Sequence, residues 1–340
     1  MLKHQLKSIH NKFDEVREII ESSNKIVLTT HVVPDGDAIG SVIAFSEYLK
    51  LKGKSSYIIN HSQTPFNLKF LDPDNSIRVF LDNETENNEI IKSADVILIL
   101  DTNEFSRTRS MEHSILKSAA KKICIDHHSG LKPELFDAHI SDTDYPSNCS
   151  ILYDFIKHDN AGYITKTLAS ALYVGIMTDT GSFRYPRTTS GVFIMCADLV
   201  DKGADPVALY ESLYATNSVE NLKLASRFIN SLEFHYDKMV ITGIVTQNDF
   251  RDLGLNIDHV EGFSSIIMNI LGVKAGIILV ELKDNIKVSF RSKGNILVNE
   301  LAREFEGGGH KNAAGANIKG TTISELKKDI LNKLEKYLIN

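Results

Sequence analysis

The chain has 340 residues, more than one core of ordinary size usually serves, so two domains are expected. Its 42% hydrophobic and 24% charged residues fit an ordinary folded protein, and a net charge of −6 excludes a broad basic face for coating long double-stranded nucleic acid. A small phosphate-bearing ligand stays compatible with that charge, because a bound metal supplies positive charge locally. Cys124, Cys149 and Cys196 form no CxxC pattern and read as buried, reduced thiols. The amino-terminal stretch MLKHQLKSIHNKFDEVREII lacks the apolar core of a signal peptide, and no run approaches a membrane span. A cytoplasmic protein without membrane contact is the expectation.

Residues 4–22 predict an amphipathic helix with Ile9, Phe13, Val16, Ile19 and Ile20 on one face. Residues 25–30 are β-branched and apolar, and this predicted strand runs straight into His31, Asp35 and Asp37. Ile39, Val42, Ile43, Phe45 and Leu49 then keep helical spacing. One imidazole and two carboxylates therefore meet where a strand ends and a helix begins, which is where open α/β sheets bind ligands. The mixed shell suits Mn²⁺ or Mg²⁺; taken alone, the same Asp-rich turn reads equally well as a helix cap.

Residues 54–60 predict a second strand, 76–81 a short one, and 83–89 surface loop or a helix start. Residues 94–101 (ADVILILD) are continuously apolar, as a buried parallel strand should be, and end in Asp101. A helix is expected over 111–120, then a strand over 122–128 (KICIDHH) that ends in Asp126, His127 and His128. Helices follow at 148–156, 164–177 and 190–200, the second leading to Asp179 on a helix with an apolar face. Strand–helix alternation with acids at the strand ends predicts an α/β fold with a doubly wound, mostly parallel sheet. Residues 204–231 read as purely helical. Beyond them, strands are expected at 238–246, 275–282 and 286–291, the last two joined by a tight turn at 283–285. A helix at 296–305 precedes a Gly-rich loop, and Thr322 with Glu325 forms a capping box for a final amphipathic helix.

Assembled in this order, the motifs resemble the DHH phosphoesterase family. The resemblance rests on His31-x-x-x-Asp35-x-Asp37, Asp101, Asp126-His127-His128 and Asp179 in the first half. In the second half it rests on Ser289-Phe290-Arg291-Ser292 and Gly307-Gly308-Gly309-His310 with Ala313-Ala314-Gly315, similar to the DHH-associated domain. Two compact domains without additions are most similar to the branch of nanoRNases and pAp phosphatases of NrnA type. The resemblance implies a catalytic domain over 1–203, a helical linker over 204–231 and a smaller mixed α/β substrate-binding domain over 232–340.

It also implies a site of two divalent ions, Mn²⁺ first, with Mg²⁺ or Co²⁺ as alternatives. His31, Asp35 and Asp101 would hold one ion. Asp37, Asp101, His127 and Asp179 would hold the other, with Asp101 bridging. His128 would stand behind the metal ligands or contact the phosphate, and Asp126 would orient the two histidines. Arg291, Ser292, His310 and Arg184 would contact substrate, with the amides of Gly307, Gly308 and Gly309 forming an anion nest; Arg107 and Arg109 are further candidates. Val33 and Arg187 depart from the family pattern, and neither is an expected ligand.

The implied activity is hydrolysis of very short oligoribonucleotides to 5′-mononucleotides, with removal of the 3′-phosphate of 3′-phosphoadenosine 5′-phosphate as a second activity. A soluble cyclic-dinucleotide or pApA phosphodiesterase is the alternative within the enzyme class, and a nucleotide-binding protein with an inactive site is the alternative outside it. The partners are then short oligoribonucleotides or small phosphorylated nucleotides, and homodimer formation is left open.

Overall fold

The computed structural model describes residues 2–215, 218–260 and 262–338, with backbone alone for residues 2–8 and His310. The chain divides into two compact units, Met1–Thr216 and Asn217–Asn340.

In the first unit six strands, β1 (Lys25–Thr29), β2 (Ser55–Asn60), β3 (Ile77–Val79), β4 (Val96–Leu100), β5 (Lys121–Asp126) and β6 (Ala138–Ser141), pair in the order β3-β2-β1-β4-β5-β6. All the pairings are parallel. The helices are α1 (Leu2–Glu21), α2 (Gly36–Leu51), α3 (Glu84–Lys92), α4 (Glu112–Lys117), α5 (Asn148–Asn160), α6 (Lys166–Asp179), α7 (Ser190–Asp201) and α8 (Pro206–Tyr214). Successive side chains of β4 enter opposite cores. Val96, Leu98 and Leu100 join the apolar cluster of α1, α2, α5 and α6, while Ile97 and Ile99 join that of α3 and α4. All five are fully buried, each contributing about 1.5–3 kcal/mol. Burial on both faces is why this strand reads as an unbroken apolar run.

Strand order reverses between β1 and β4, so their carboxyl ends border the crevice at the switch point. Helices α2 and α6 close it from one side and approach nearly to backbone contact. A Cβ on Gly175 would lie 2.2 Å from the Cys149 sulfur and 2.7 Å from Asp37 Oδ1. All three cysteines are free and buried.

The second unit carries α9 (Val219–Asn230), β7 (Glu233–His235), β8 (Val240–Val245), α10 (Gln247–Leu253), α11 (Phe263–Met268), β9 (Ala275–Glu281), β10 (Ile286–Ser292), α12 (Val298–Arg303), β11 (Gly308–His310), β12 (Ala313–Ile318) and α13 (Ile323–Leu338). Its sheet has the order β11-β12-β10-β9-β8-β7 and is antiparallel except for β8 with β9. The turn at 283–285 is present, with Leu282 N–H on the Asn285 carbonyl at 2.9 Å. Thr322 and Glu325 form the expected capping box, the hydroxyl donating to Glu325 Oε2 at 2.8 Å and accepting from its N–H at 3.3 Å.

The elements without a sequence signal are short. Strand β6 has four residues, two of them His139 and Ser141, and β7 has three. The polar segment at 83–89 is helical because the Asn83 side chain caps it, accepting the Glu86 N–H. The helical stretch 204–231 is divided, with α8 in the first unit and α9 in the second.

Candidate metal centre

Each element at the switch point delivers one part of the site. Thr29 ends β1, and His31 follows two residues later. The His31 Nδ1–H donates to the Val32 carbonyl at 2.9 Å, which fixes the tautomer and leaves the Nε2 lone pair pointing inward. That Nε2 lies 3.3 Å from Asp101 Oδ2 and 4.0 Å from Asp35 Oδ2.

Asp35 is both cap and candidate ligand. Its Oδ1 accepts the N–H groups of Asp37 and Ala38 at 3.1 Å each, while Oδ2 faces His31. The two readings of this turn therefore describe different oxygens of one carboxylate.

Asp37 is fully buried in the first turn of α2. Its oxygens accept the N–H groups of Asn148 at 2.6 Å and Cys149 at 2.9 Å, which open helix α5. That helix's positive end favours a carboxylate there. Asp101 directly follows β4 with a φ of 60°, a left-handed conformation that Asp tolerates better than most residues. It aims its two oxygens in different directions: Oδ2 at His31, and Oδ1 at His127 Nε2, 3.3 Å away.

His127 Nε2 also lies 3.2 Å from Asp179 Oδ2 and 3.8 Å from Asp37 Oδ2. One imidazole nitrogen cannot serve three carboxylates through one proton. Among the described residues Asp101 Oδ1 and both His127 ring nitrogens are buried without a hydrogen-bond partner, and buried polar atoms are seldom left so. A cation shared by Asp101 Oδ1 and His127 Nε2 accounts for those two atoms.

Three ligand groupings result: His31–Asp35–Asp101, Asp37–His127–Asp179 and Asp101–His127–His128. The four carboxylates carry four negative charges, which two divalent ions would balance, and imidazole with carboxylate is an acceptable donor set for Mn²⁺ or Mg²⁺. The residues present fit such ions.

Electrostatics bear the same mark. Burial, then the charges of Asp101 and Asp179, push the Asp37 carboxyl well above the ordinary range. Burial, with Asp101 next, raises Asp179 to about 6. Asp179 also ends helix α6, where the dipole opposes a negative charge. For Asp101, burial works upward, but the imidazoles of His127 and His31 outweigh it and hold the group at about 2. For His127, burial works downward, yet the carboxylates of Asp101, Asp37 and Asp179 raise it to about 9. His31 is raised too, its neighbour Asp101 outweighing the effect of burial. Without a cation, protons are what hold these charges together.

His128 stands apart. Its Nδ1 donates to Asp126 Oδ1 at 2.7 Å, the ring is half-exposed, and among the described residues Nε2 has no hydrogen-bond partner. Asp126 holds His128 but makes no hydrogen bond to His127, so it orients one histidine rather than the pair. Its other oxygen accepts Asn103 Nδ2 at 2.7 Å, and the same amide donates to the carbonyls of His128 and Ser129 at 3.2 and 3.3 Å. Asn103 carried no signal in the sequence beyond lying two residues past Asp101. Asn148 and Cys149 carried none either, since they act through backbone N–H groups. Arg184 is exposed, its Nε donating to the Gly181 carbonyl at 2.8 Å.

In the second unit the expected anion nest of Gly307, Gly308 and Gly309 is replaced by other structure. The Gly307 N–H donates to the Ala302 carbonyl at 2.8 Å and terminates α12. Gly308 and Gly309 form the edge strand β11, opposite Gly315 and Ala314. Glycine is needed there for close approach, since a Cβ on Gly309 would lie 2.5 Å from the Ala313 carbonyl oxygen. The side chain of His310 lies outside the described residues. Arg291 is half-buried, with Nη1 donating to the Phe290 carbonyl at 2.9 Å. The Ser292 hydroxyl donates to the Ile296 carbonyl at 2.7 Å and accepts from Asn312 at 2.8 Å, so it braces the loop before α12.

Comparison with known proteins adds the family. The model of the DHH family, N-terminal domain, matches residues 25–176, and that of the DHHA1 domain matches residues 237–340. The chain belongs to the DHH family. Among its relatives, the bifunctional oligoribonuclease and PAP phosphatase NrnA of Thermus thermophilus is 28% identical, covering 95% of this chain and 93% of that protein. The Bacillus subtilis protein of the same name is also 28% identical, over 89% of this chain and 92% of that one. The crystal structure of an exopolyphosphatase-related protein from Bacteroides fragilis superposes with a TM-score of 0.88 at 31% identity, covering 96% of each chain. Among the described residues of this DHH-family chain no helix is long and apolar enough to cross a membrane.

Proposed function

We propose that the chain is a metal-dependent phosphohydrolase that degrades very short oligoribonucleotides to 5′-mononucleotides and also dephosphorylates 3′-phosphoadenosine 5′-phosphate to AMP. The observation that carries this reading is Asp101, one buried carboxylate with an oxygen toward each of two histidine-bearing ligand groups. Both NrnA relatives, similar over nearly their full length, support the substrate class.

In this reading His31, Asp35 and Asp101 hold one cation and Asp37, Asp101, His127 and Asp179 the other, with Mn²⁺ as the working metal. When bound, the two cations supply a water of lowered pKa and positive charge at the phosphoryl oxygens. The chain's own residues do the rest. Asp126 and Asn103 lock the His128 ring so that its Nε2 faces outward, where the imidazolium form of the ring can donate to a phosphate oxygen. The Arg184 guanidinium, anchored by Nε, keeps its terminal N–H groups for phosphate. The second unit serves substrate binding, Arg291 and the outer edge of β11 offering donors.

The test is Mn²⁺-dependent hydrolysis of a 5′-labelled RNA dinucleotide, with pAp, pApA and cyclic-di-AMP alongside, for wild type and Asp101→Ala. Fast cleavage of the dinucleotide that disappears in Asp101→Ala is expected. Turnover confined to cyclic-di-AMP would make the chain a cyclic-dinucleotide phosphodiesterase. No turnover with metal bound would leave a nucleotide-binding protein.

A further inference from the structure

Helix α7 is apolar on more than its inner side. Val192, Cys196 and Leu199 are buried in the first unit's core. Phe193, Ile194, Ala197 and Val200 also keep helical spacing, yet they are exposed. The Asp198 carboxylate is taken up by α5, accepting from the Tyr153 hydroxyl at 2.6 Å and Lys157 Nζ at 3.1 Å. A helix that is apolar beyond the stripe its own core covers is suited to being covered from outside as well.

Beside this stripe, within the same unit, lies a hollow. A cavity of about 410 Å³ opens between α6, α8 and the turn after α6, walled by Tyr173, Met177, Phe183, Val207 and Tyr210. Its charged lining residue, Glu211, is exposed. The turn has an unusual backbone: Gly181, Ser182 and Phe183 are all left-handed, with φ of 57°, 56° and 66°, which is unfavourable for the last two. It sets the Phe183 ring 6.1 Å from that of Tyr173 and 5.6 Å from that of Phe193, so Phe183 joins the α7 stripe to the hollow. On the far side the Tyr210 and Tyr214 rings lie 4.8 Å apart, and the Tyr214 hydroxyl meets Ser182 Oγ at 3.5 Å. Stripe and hollow are therefore one continuous face.

Area and shape point to the occupant. Phe193, Ile194, Val200, Val207, Tyr210 and Tyr214 are exposed by 40% (Val200 and Tyr214) to 68% (Ile194), and together they leave roughly 500–700 Å² of side-chain surface uncovered. That matches the apolar share of one side of a stable interface, to which each partner gives about 800 Å², up to about 65% of it apolar. A projecting stripe and a hollow next to each other on one face also meet the condition for pairing about a two-fold axis, where each copy's projection enters the other's recess. We propose that two copies of this chain associate through the α7–α8 face, the α7 stripe of each seated against the hollow of the other. The inference does not depend on the activity proposed above.

Sedimentation velocity of the full chain over a wide range of concentration reads the association without reference to activity. Wild type should form a dimer. Ile194→Asp and Val207→Asp each place a charge in the face and should weaken the dimer by about 30-fold or more. Both positions are exposed, so circular dichroism spectra should stay those of wild type, which separates lost association from lost folding. Leu116→Asp, at an exposed leucine of α4, is the control and should leave the dimer intact. A monomer at every concentration, which would leave the face to a different protein or a small apolar ligand, overturns the proposal. A dimer unchanged in both variants, or lost in Leu116→Asp, overturns it too, because association then uses another surface.

Discussion

Asp101 belongs to two of the three ligand groupings, and its left-handed backbone is tolerated because the carboxylate lands between two histidines. Its removal should therefore affect both cations. Asp101→Ala is expected to lower metal affinity by roughly 10²-fold or more, measured by metal titration, whereas loss of a single ion would show that the carboxylate is not shared. Asn103 touches none of the expected ligands but fixes Asp126 and the His128 loop. Asn103→Ala should lower kcat by about 10–100-fold with near-wild-type metal stoichiometry, and an unchanged kcat would remove its positioning role. Proton competition supplies a third expectation. Asp179 at about 6 and His127 at about 9 must both lose their protons to donate to a cation. Apparent metal affinity should rise with pH across that window, and binding at neutral pH should release protons. Calorimetry in two buffers of different protonation enthalpy checks this, identical heats being the contrary result.

At the scale of elements, the close crossing of α2 and α6 sets where Asp37 and Asp179 stand. Gly175→Ala would place a methyl against Cys149 and Asp37, and should cost about 1–3 kcal/mol of stability while weakening metal binding. Gly191→Ala, on the exposed start of α7 with its nearest neighbour 3.5 Å away, is the control and should be neutral or slightly stabilising in thermal melts. The triglycine segment shows how one motif admits two structures. Read in one dimension, it suits an anion nest. In the sheet, Gly309 is glycine because β11 lies too close to β12 for a side chain. Strand β6 and Asn103 were illegible for a related reason: short or polar segments acquire their role from neighbours that lie far away in sequence.

At the scale of the whole molecule, the ligand groupings belong entirely to the first unit. Metal should accordingly stabilise that unit by mass action, by about 2.7 kcal/mol at 100 times the dissociation constant. Scanning calorimetry with and without Mn²⁺ should move the transition carrying the first unit, and a metal-independent trace would contradict the assignment of the site. The split of residues 204–231 between the units also follows from packing. Leu209 and Leu213 of α8 are buried in the first unit's core, and Leu224 and Phe228 of α9 in one of the second unit's cores. Helical periodicity alone does not say which core an apolar face will join.

What this sequence determined by itself was local in nature. Apolar runs that must be buried on both faces specified the strands, and the acids and imidazoles at their ends marked the crevice side of the sheet. His31, Asp35, Asp37, Asp101, His127 and Asp179 could all be named on that basis together with the family resemblance. The tertiary structure decided how the charges are shared: which oxygen of Asp35 caps the helix and which faces His31, that Asp126 serves His128 alone, and that Asn103, Asn148 and Cys149 supply the donors. Those choices depend on distances of about 3 Å between groups brought together only when the sheet closes against its helices, and no pattern along the chain encodes them.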